Sequence, residues 1–494
     1  MAEEILLAID QGTSSTRAIG FTRSGAIIAE SRRAFEPIYP ASGWVEQDPE
    51  AIWSTTVSTT REALKSLREK RRPVLAIGLT NQRETTLVWD RRTGVPVYNA
   101  IVWQDRRTAA HCRALQEAGH EREVADKTGL RLDPYFSATK LEWILDRVPQ
   151  LREAAESGHI AFGTVDSFLI WRLTGGRLHV TDFTNASRTA LFDIRTGRWD
   201  QGLCEIFNVP MSCLPEVRDC AGDFGVAGKA ILGVDIPITG VAGDQQAALI
   251  GQACFSPGDL KSTYGTGAFL VLNTGKQLVR SHNRLLSTIA YRLEGEIAYA
   301  LEGSILSAGS TIQWLRDGLG LIACSADVEA LASSITDTGG VYLTPAFTGL
   351  GAPYWDPDAR GALLGLSRAS GKAEIARAAL DSVAYQTRDL LDAMTADGVS
   401  TAALKVDGGM ARNAFFLQRL ADILGLPILL PQLAESTAFG AACLAGLGSG
   451  AYGSLHDLTG LWQAQSRYEP RTDAETRERE ITGWRAAMRR IRTN

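Results

Sequence analysis

The chain has 494 residues, of which 45% are hydrophobic, and this is enough to build two or more sizeable cores. Its 51 lysine and arginine residues are dispersed and are outnumbered by 56 aspartate and glutamate residues, which argues against a nucleic-acid-binding surface. The start, MAEE, is acidic, and the apolar run behind it is too short to span a bilayer. We therefore expect a soluble, cytoplasmic protein without membrane insertion.

The cysteines favour neither a disulfide framework nor a zinc site. Their number, seven, is odd, and no two of them form a C-x-x-C pair. We expect most of them to be buried thiols.

Apolar runs typical of buried strands alternate along the chain with longer segments of helical spacing, which predicts an α/β fold. In chain order the predicted elements are strand 5–9, helix 51–68, strand 74–80, helix 139–145, strand 236–242, strand 269–272, helix 373–391, strand 404–406 and helix 413–424.

A similar strand–turn–strand pattern occurs in both halves of the chain. The first surrounds the turn at 10–13, and the second runs from 262 to 268 and into the strand at 269–272. This repetition predicts two similarly built lobes that each offer a glycine turn to one nucleotide. The predicted boundary lies near residue 252, giving domains 1–252 and 253–494.

The first turn has the composition of a phosphate-binding loop. Asp10 follows the apolar run 5–9, Gly12 allows a tight turn, and the hydroxyls of 13–16 stand beside Arg17. Hydroxyl and N–H groups beside an arginine suit a polyphosphate, whose Mg²⁺ the Asp10 carboxylate would face. The alternative is a hairpin in which these residues serve only the turn. A P-loop is excluded, because no G-x-x-x-x-G-K-[ST] sequence occurs.

A second strand end carries groups that suit a small polyol. Arg83 and Glu84 follow the strand at 74–80, so a donor and an acceptor stand side by side, as neighbouring hydroxyls require. Trp103 and Tyr135 could add an apolar wall and a hydroxyl. The alternatives are a surface ion pair for the first two residues and core packing for the aromatic ones.

A third strand end carries the candidate general base. Asp244 follows the strand at 236–242 and precedes a helix at 245–249. A carboxylate near the positive end of a helix stays ionised and could accept the proton of an attacking hydroxyl. The alternative role is that of a helix N-cap, and the two roles are compatible.

The chain resembles the sugar-kinase family of the actin, hexokinase and heat-shock ATPase superfamily over essentially its whole length. The segments that carry the resemblance are 10–17, 78–86, 180–189, 243–249, 264–267, 344–355 and 406–409. The resemblance implies two RNase H-like (actin-like ATPase) domains with an interdomain active-site cleft. It also implies in-line transfer of the γ-phosphoryl group of ATP to glycerol, forming sn-glycerol 3-phosphate with an Asp general base.

The resemblance also assigns residues one by one. On glycerol it places Arg83, Glu84, Trp103, Tyr135, Asp244, Gln245 and Phe269. Around the nucleotide it places Thr13, Ser14, Ser15, Arg17, Thr266, Gly309, Gln313, Gly409 and Asn413. It places Asp10 near Mg²⁺ and implies a homodimer or homotetramer.

Three alternative functions remain at this point. The same chemistry could act on another polyol or sugar, such as xylulose or gluconate. The chain could be a non-catalytic nucleotide-switched sensor, or a filament or chaperone ATPase that hydrolyses ATP without an acceptor.

Two departures from the family concern regulation. Asp235 stands where relatives inhibited by fructose 1,6-bisphosphate carry an arginine, and the segment 219–225 lacks the histidine of relatives activated by phosphorylation. Neither mode of control is expected.

Overall fold

The computed structural model describes residues 3–493. Met1, Ala2 and Asn494 lie outside the described residues. They include the first two residues of the acidic start and the outermost residues of the two predicted domains. The β-strands are β1 Ile5–Gln11, β2 Ser15–Phe21, β3 Ile27–Ala34, β4 Glu46–Gln47, β5 Val74–Asn81, β6 Leu87–Asp90, β7 Ala100–Ile101, β8 Ile160–Gly163, β9 Val180–Asp182, β10 Phe192–Asp193, β11 Arg198–Trp199, β12 Glu216–Arg218, β13 Val226–Ala227, β14 Ile236–Gly243, β15 Leu260–Tyr264, β16 Ala268–Gly275, β17 Leu286–Leu293, β18 Glu296–Ile305, β19 Tyr342–Thr344, β20 Ala362–Leu364, β21 Leu404–Asp407, β22 Ile428–Pro431 and β23 Ala464–Tyr468.

The α-helices are α1 Pro49–Glu69, α2 Ala109–Glu117, α3 Glu121–Thr128, α4 Ser137–Arg147, α5 Leu151–Glu156, α6 Val165–Leu173, α7 Phe183–Ala186, α8 Gln201–Ile206, α9 Lys229–Leu232, α10 Asp244–Gly251, α11 Gly309–Gln313, α12 Asp327–Ser333, α13 Lys372–Ala396, α14 Ala414–Leu424, α15 Ser436–Gly448, α16 Leu455–Thr459 and α17 Ala474–Ile491. Short 3₁₀ turns at Met211–Cys213 and Gly409–Arg412 and a π-helical turn at Trp314–Gly318 complete the helical structure.

The N-terminal half is built on a six-stranded sheet with the order β13-β14-β5-β1-β2-β3. Strands β14, β5 and β1 run parallel, and β1 and β2 form an antiparallel hairpin. All seven residues of β1 are buried, as expected for a continuous apolar run in the centre of a sheet. The carboxyl ends of the three parallel strands therefore meet at one edge of the sheet.

The C-terminal half is built on a seven-stranded sheet with the order β17-β18-β16-β15-β21-β22-β23. Its strands β15 and β16 form an antiparallel hairpin, and β15 pairs in parallel with β21. This arrangement repeats that of β1, β2 and β5, so the predicted internal repetition of the strand–turn–strand pattern is confirmed.

Helix α15 connects the two halves. It comes from the C-terminal half but packs on β1, β5 and β14 and against α10. The approach is too close for side chains, since a Cβ on Gly440 would lie 1.7 Å from the carbonyl oxygen of Ala247, and one on Gly78 2.0 Å from that of Ala441. Glycine at Gly440 therefore lets α15 lie directly against α10, and glycine at Gly78 lets it lie directly on the first sheet.

All the predicted strands and helices are present, including the helix at 245–249, with ends that differ by a few residues. The cysteines within the described chain are all free thiols, and Cys324 alone among them is exposed, so the expectation of mostly buried thiols is confirmed. Over residues 3–493, no helix combines the length and the apolar character needed to cross a membrane.

Candidate active site

The candidate active site lies where three parallel strands of the first sheet end side by side. Asp10 of β1 stands opposite Thr80 of β5, and on its other side Thr80 stands opposite Ala242 of β14. Arg83 follows β5 and Asp244 follows β14. The three strand-end motifs of the sequence are therefore neighbours in space.

Arg83 is held in a buried network of two arginines and two glutamates. Its Nη1 and Nη2 atoms donate to the two carboxylate oxygens of Glu302 at 2.5 and 3.0 Å. Arg188 donates to Glu302 at 2.8 Å and to Oε1 of Glu84 at 2.7 Å. Because none of these four side chains is more than 2% exposed, the alternative of a surface ion pair at Arg83 and Glu84 is wrong.

Burial and the two arginines act in opposite directions on the pKa of each glutamate. Burial alone would raise the pKa of Glu302, but Arg188 and Arg83 outweigh it and lower this pKa to about 2. At Glu84 burial prevails over the same two arginines, and the pKa is raised. Oε2 of Glu84 accepts no hydrogen bond from any residue between 3 and 493, so this oxygen is left for a ligand hydroxyl.

Asp244 is the first residue of α10, so it does not occupy the N-cap position, which belongs to Gly243. Its side chain is 31% exposed, and Oδ1 lies 3.3 Å from Nε of Arg83. The backbone N–H of Gln245 donates to the same oxygen at 2.7 Å. Burial raises the pKa of Asp244, against the attraction of Arg83 and Lys261. A partly open carboxylate with a raised pKa can accept the proton of a hydroxyl.

Three aromatic rings enclose the space in front of Asp244. The Trp103 ring meets those of Tyr135 and Phe269 edge-on, with centroids 5.7 and 6.0 Å apart. Its indole N–H donates to the hydroxyl of Thr13 at 3.0 Å, which ties this wall to the first turn. The rings present apolar surface to the carbon atoms of a small ligand.

These groups line one cavity of about 340 Å³. The predicted residues on its wall are Thr13, Ser14, Arg83, Glu84, Trp103, Tyr135, Asp244, Gln245, Thr266 and Phe269. A proton acceptor, hydroxyl-binding groups and apolar walls therefore face the same space.

A second cavity, of about 500 Å³, lies on the C-terminal half. The predicted residues on its wall are Thr266, Gly309, Gln313, Gly409 and Asn413. Thr266 lines both cavities, so they meet at the turn between β15 and β16. A Cβ on Gly309 would lie 2.6 Å from the carbonyl oxygen of Gly265, which explains the glycine at this point.

Asp10, Ser15 and Arg17 do not line either cavity. Asp10 is 3% exposed and accepts a 2.5 Å hydrogen bond from Arg17, which also contacts Glu435. The Ser15 hydroxyl is buried and accepts a hydrogen bond from Arg32 at 3.2 Å. Of the predicted residues in the first turn, the structure thus brings only Thr13 and Ser14 to the cavity wall.

The surroundings of Asp10 fit a divalent cation. Burial raises its pKa against the attraction of Arg17, and its negative charge in turn contributes to the raised pKa of Asp244. A cation would relieve this repulsion, and Mg²⁺ is typically held by one or two carboxylates together with substrate phosphates. Within the described part of the chain, no group of three or more His, Cys, Asp or Glu side chains could hold a metal ion.

Three charged residues of the site received no role from the sequence: Arg188, Glu302 and Lys261. Arg188 lies within the segment 180–189, which carries part of the family resemblance. Glu302 and Lys261 lie in β18 and β15, where the residues next to them along the strand are buried. A charged side chain within a buried strand needs a partner of opposite charge or a hydrogen bond. This requirement is the sequence signal that could have identified Glu302 and Lys261 as residues of the site.

The segment at Asp235 is more positively surrounded than its sequence indicates. Asp235 accepts a 2.6 Å hydrogen bond from the backbone N–H of Lys229. Three arginines from elsewhere share a groove with the adjacent Val234: Arg68, Arg71 and Arg72. The expected insensitivity to fructose 1,6-bisphosphate remains a prediction. The three arginines add positive charge beside this segment that its own sequence does not contain.

The fold and the site together define a kinase of the actin-like ATPase fold. Two α/β halves of similar topology flank a cleft, with a hydroxyl-binding cavity on one side and a glycine-lined cavity on the other.

Comparison with known proteins gives the family. Residues 5–251 match the N-terminal domain of the FGGY family of carbohydrate kinases, and residues 260–449 match its C-terminal domain. The chain belongs to this family.

Similar proteins cover the whole chain. It is 56% identical to a glycerol kinase of Rhodospirillum centenum over 99% of this chain and 98% of that protein. It is also 56% identical to glycerol kinase 1 of Pseudomonas aeruginosa, over 99% of each. The crystal structure of Plasmodium falciparum glycerol kinase with ADP superposes with a TM-score of 0.93 at 37% identity, covering 99% of this chain and 98% of that chain.

Proposed function

We propose that this protein transfers the γ-phosphoryl group of ATP to glycerol, forming sn-glycerol 3-phosphate. The observation that carries the proposal is the position of Asp244, a partly open carboxylate in a cavity whose other walls offer hydroxyl-binding groups and aromatic rings. Similarity to glycerol kinases over nearly the full length supports glycerol as the acceptor.

Glycerol binding is assigned to the first cavity. Glu84 offers its free Oε2 to one hydroxyl, while Arg83 is fixed by Glu302 and keeps its Nε beside Asp244. Tyr135 and Gln245 supply further polar groups, and the rings of Trp103 and Phe269 cover the carbon chain. A substrate that lacks one hydroxyl would leave a buried polar group unpaired, at a cost of about 1–3 kcal/mol.

Asp244 is assigned the role of general base. It accepts the proton of the terminal hydroxyl as that oxygen attacks the γ-phosphorus in line with the leaving group. Its raised pKa brings the carboxylate closer to the pKa that serves proton transfer at neutral pH. The surrounding aromatic walls limit the access of water, which would otherwise compete as acceptor.

ATP is assigned to the second cavity, with its phosphates directed toward the turn that both cavities share. Thr13, Ser14 and Thr266 provide hydroxyls there. Bound Mg²⁺, next to Asp10, would neutralise negative charge on the transferred phosphoryl group. Ser15 and Arg17 are assigned to the same phosphates on the basis of the family pattern alone.

An acceptor assay tests the proposal. The full-length protein is given ATP and Mg²⁺ with glycerol, xylulose, gluconate, ribulose or no acceptor, and the phosphorylated product is identified. We expect glycerol to be used most efficiently, with little ATP hydrolysis in its absence. Preference for another acceptor would favour the sugar-kinase alternative. ATP hydrolysis that does not depend on an acceptor would favour a filament or chaperone ATPase. The absence of any turnover would favour a nucleotide-switched sensor.

Several sequence-based expectations remain predictions. They are the domain boundary at residue 252, the cytoplasmic location, the use of Mg²⁺, and assembly as a homodimer or homotetramer.

A further inference from the structure

A large cavity with an excess of positive charge lies beside the active-site cleft. Its volume is about 790 Å³, and both halves of the chain line it, through residues between 42 and 134 and between 284 and 360. The arginines on its wall are Arg106, Arg113, Arg131, Arg284 and Arg360. The acidic residues on the same wall are Glu121, Asp133 and Asp358.

Two of these arginines are neutralised by neighbouring carboxylates. Arg106 binds Asp133 through two hydrogen bonds of 2.7 and 3.3 Å. Arg131 lies 3.3 Å from Glu121. Both charges are therefore largely balanced within the protein, and neither accounts for the positive excess of the cavity.

The other arginines lack a carboxylate partner. Arg360 donates only to backbone carbonyl groups, at 2.9 and 2.8 Å. Among residues 3–493, the guanidinium groups of Arg113 and Arg284 take part in no ion pair or hydrogen bond. Asp358 is the one remaining carboxylate on the wall, so positive charge is left uncompensated.

Arg284 is the arginine of this cavity whose positive charge is least favourable when no anion is bound. It is half-buried, and burial together with the like charges of Arg131 and Arg492 lowers its pKa, against a weaker attraction from Glu121 and Asp356. Its backbone also has a left-handed φ of +63°, which is strained for a residue other than glycine. The indole N–H of Trp355 donates to its carbonyl oxygen at 2.7 Å and holds this conformation.

We propose that this cavity is a binding site for a phosphate group, carried either by inorganic phosphate or by a small phosphate ester. A dianion would compensate Arg284 and Arg113, and guanidinium groups bind phosphate through charge-assisted hydrogen bonds. The volume lies within the range of about 300–1,000 Å³ that is typical of small-molecule sites.

The position of the site links it to the reaction cleft. A neighbouring cavity of about 350 Å³ shares Arg106 and Trp355 with the arginine-lined cavity and Trp103 and Tyr135 with the glycerol cavity. Because both halves of the chain contribute to the wall, a bound anion bridges them at the mouth of the cleft.

Calorimetric titration of the full-length protein tests the proposal, with inorganic phosphate and glucose 6-phosphate as separate probes at constant ionic strength. Arg284→Asn removes the charge and keeps a residue that tolerates a left-handed backbone. We expect this change to weaken binding of the probe by about 10- to 100-fold, the worth of a lost charged hydrogen bond. Arg113→Gln, at an exposed position, should weaken it by a smaller factor, because water and salt screen exposed charges.

Arg198→Gln is the matched control, since Arg198 is exposed and does not line the cavity. It should bind both probes as the unmodified protein does. Equal affinity for the two probes would show that the site recognises the phosphate group alone, tighter binding of inorganic phosphate would identify it as the ligand, and tighter binding of glucose 6-phosphate would identify an ester. The proposal is overturned if neither probe binds saturably, or if binding is unchanged in both Arg284→Asn and Arg113→Gln. Arg113→Gln alone decides the matter if Arg284→Asn does not fold.

Discussion

Lys261 donates a 2.6 Å hydrogen bond from Nζ to Oε1 of Gln245. Because an ammonium group can only donate, this bond fixes which end of the Gln245 amide faces the lysine. The Nε2 group is therefore the end that remains for a ligand, and Gln245 acts as a donor toward a substrate hydroxyl.

Removing the lysine should release this amide. We expect Lys261→Met to raise the KM for glycerol by about tenfold, which corresponds to one hydrogen bond, with a smaller change in kcat. The positive charge of Lys261 also lowers the pKa of Asp244. Because Lys261→Met lacks this charge, the pKa of Asp244 should rise, and the acidic limb of the kcat/KM profile should move to higher pH in the variant. Steady-state kinetics across pH measure both effects.

Lys405→Met is the control for this prediction. Lys405 stands opposite Lys261 in the sheet, but it donates to the backbone carbonyl groups of Gln252 and Ala253 and does not line the glycerol cavity. An equal rise in KM in both variants would mean that Lys261 acts through the stability of the sheet.

The role of Asp244 as base predicts a large loss of turnover in Asp244→Asn. A positioned general base contributes about 10²- to 10⁴-fold, and kcat should fall by that factor while glycerol still binds. Asp337→Asn, which changes an exposed carboxylate bound to a turn N–H, is the control and should keep its full rate. Near-normal turnover in Asp244→Asn would remove this residue from the mechanism.

Glu302 balances two buried arginines, and its loss should be costly. In Glu302→Gln, Arg83 and Arg188 are left with insufficient negative charge, and the free energy of unfolding should fall by about 3–5 kcal/mol. Urea denaturation measures this change. Glu296→Gln, in the same strand, removes an exposed ion pair with Lys276 and should cost no more than about 1 kcal/mol. Similar losses in both variants would contradict the assignment.

Asp389 should make stability depend on pH. Burial raises its pKa to about 7, although Trp484 and Tyr354 donate hydrogen bonds to its carboxylate. The folded state therefore binds a proton that the unfolded state releases near pH 4, and the free energy of unfolding should fall as the pH rises from about 4 to 7. The loss amounts to about 1.4 kcal/mol per pH unit.

Asp389→Asn has no such proton, so its stability should be flatter over this range. Chemical denaturation of both proteins at pH 4, 5.5 and 7 makes the comparison. Parallel curves would show that the Asp389 carboxylate is already ionised in the folded state at pH 4.

The local elements of this protein could be predicted from its sequence because the signals for them are local. The run at 5–9 is apolar throughout, and Gly12 follows it, so a buried strand and a tight turn are expected from these residues alone. The charged residues that follow β5 and β14 could also be predicted as strand-end residues from the local sequence. The parallel arrangement of the strands then brings them together.

The tertiary structure alone decided how the charges of the site are balanced. Arg83 and Glu302 are 219 positions apart, and no spacing in the sequence relates them. Lys261 and Gln245 also meet only because β15 and α10 pack together. A buried charge requires a partner wherever the chain can supply one, so sequence can show the need for compensation, but the packing of distant segments determines which residue provides it.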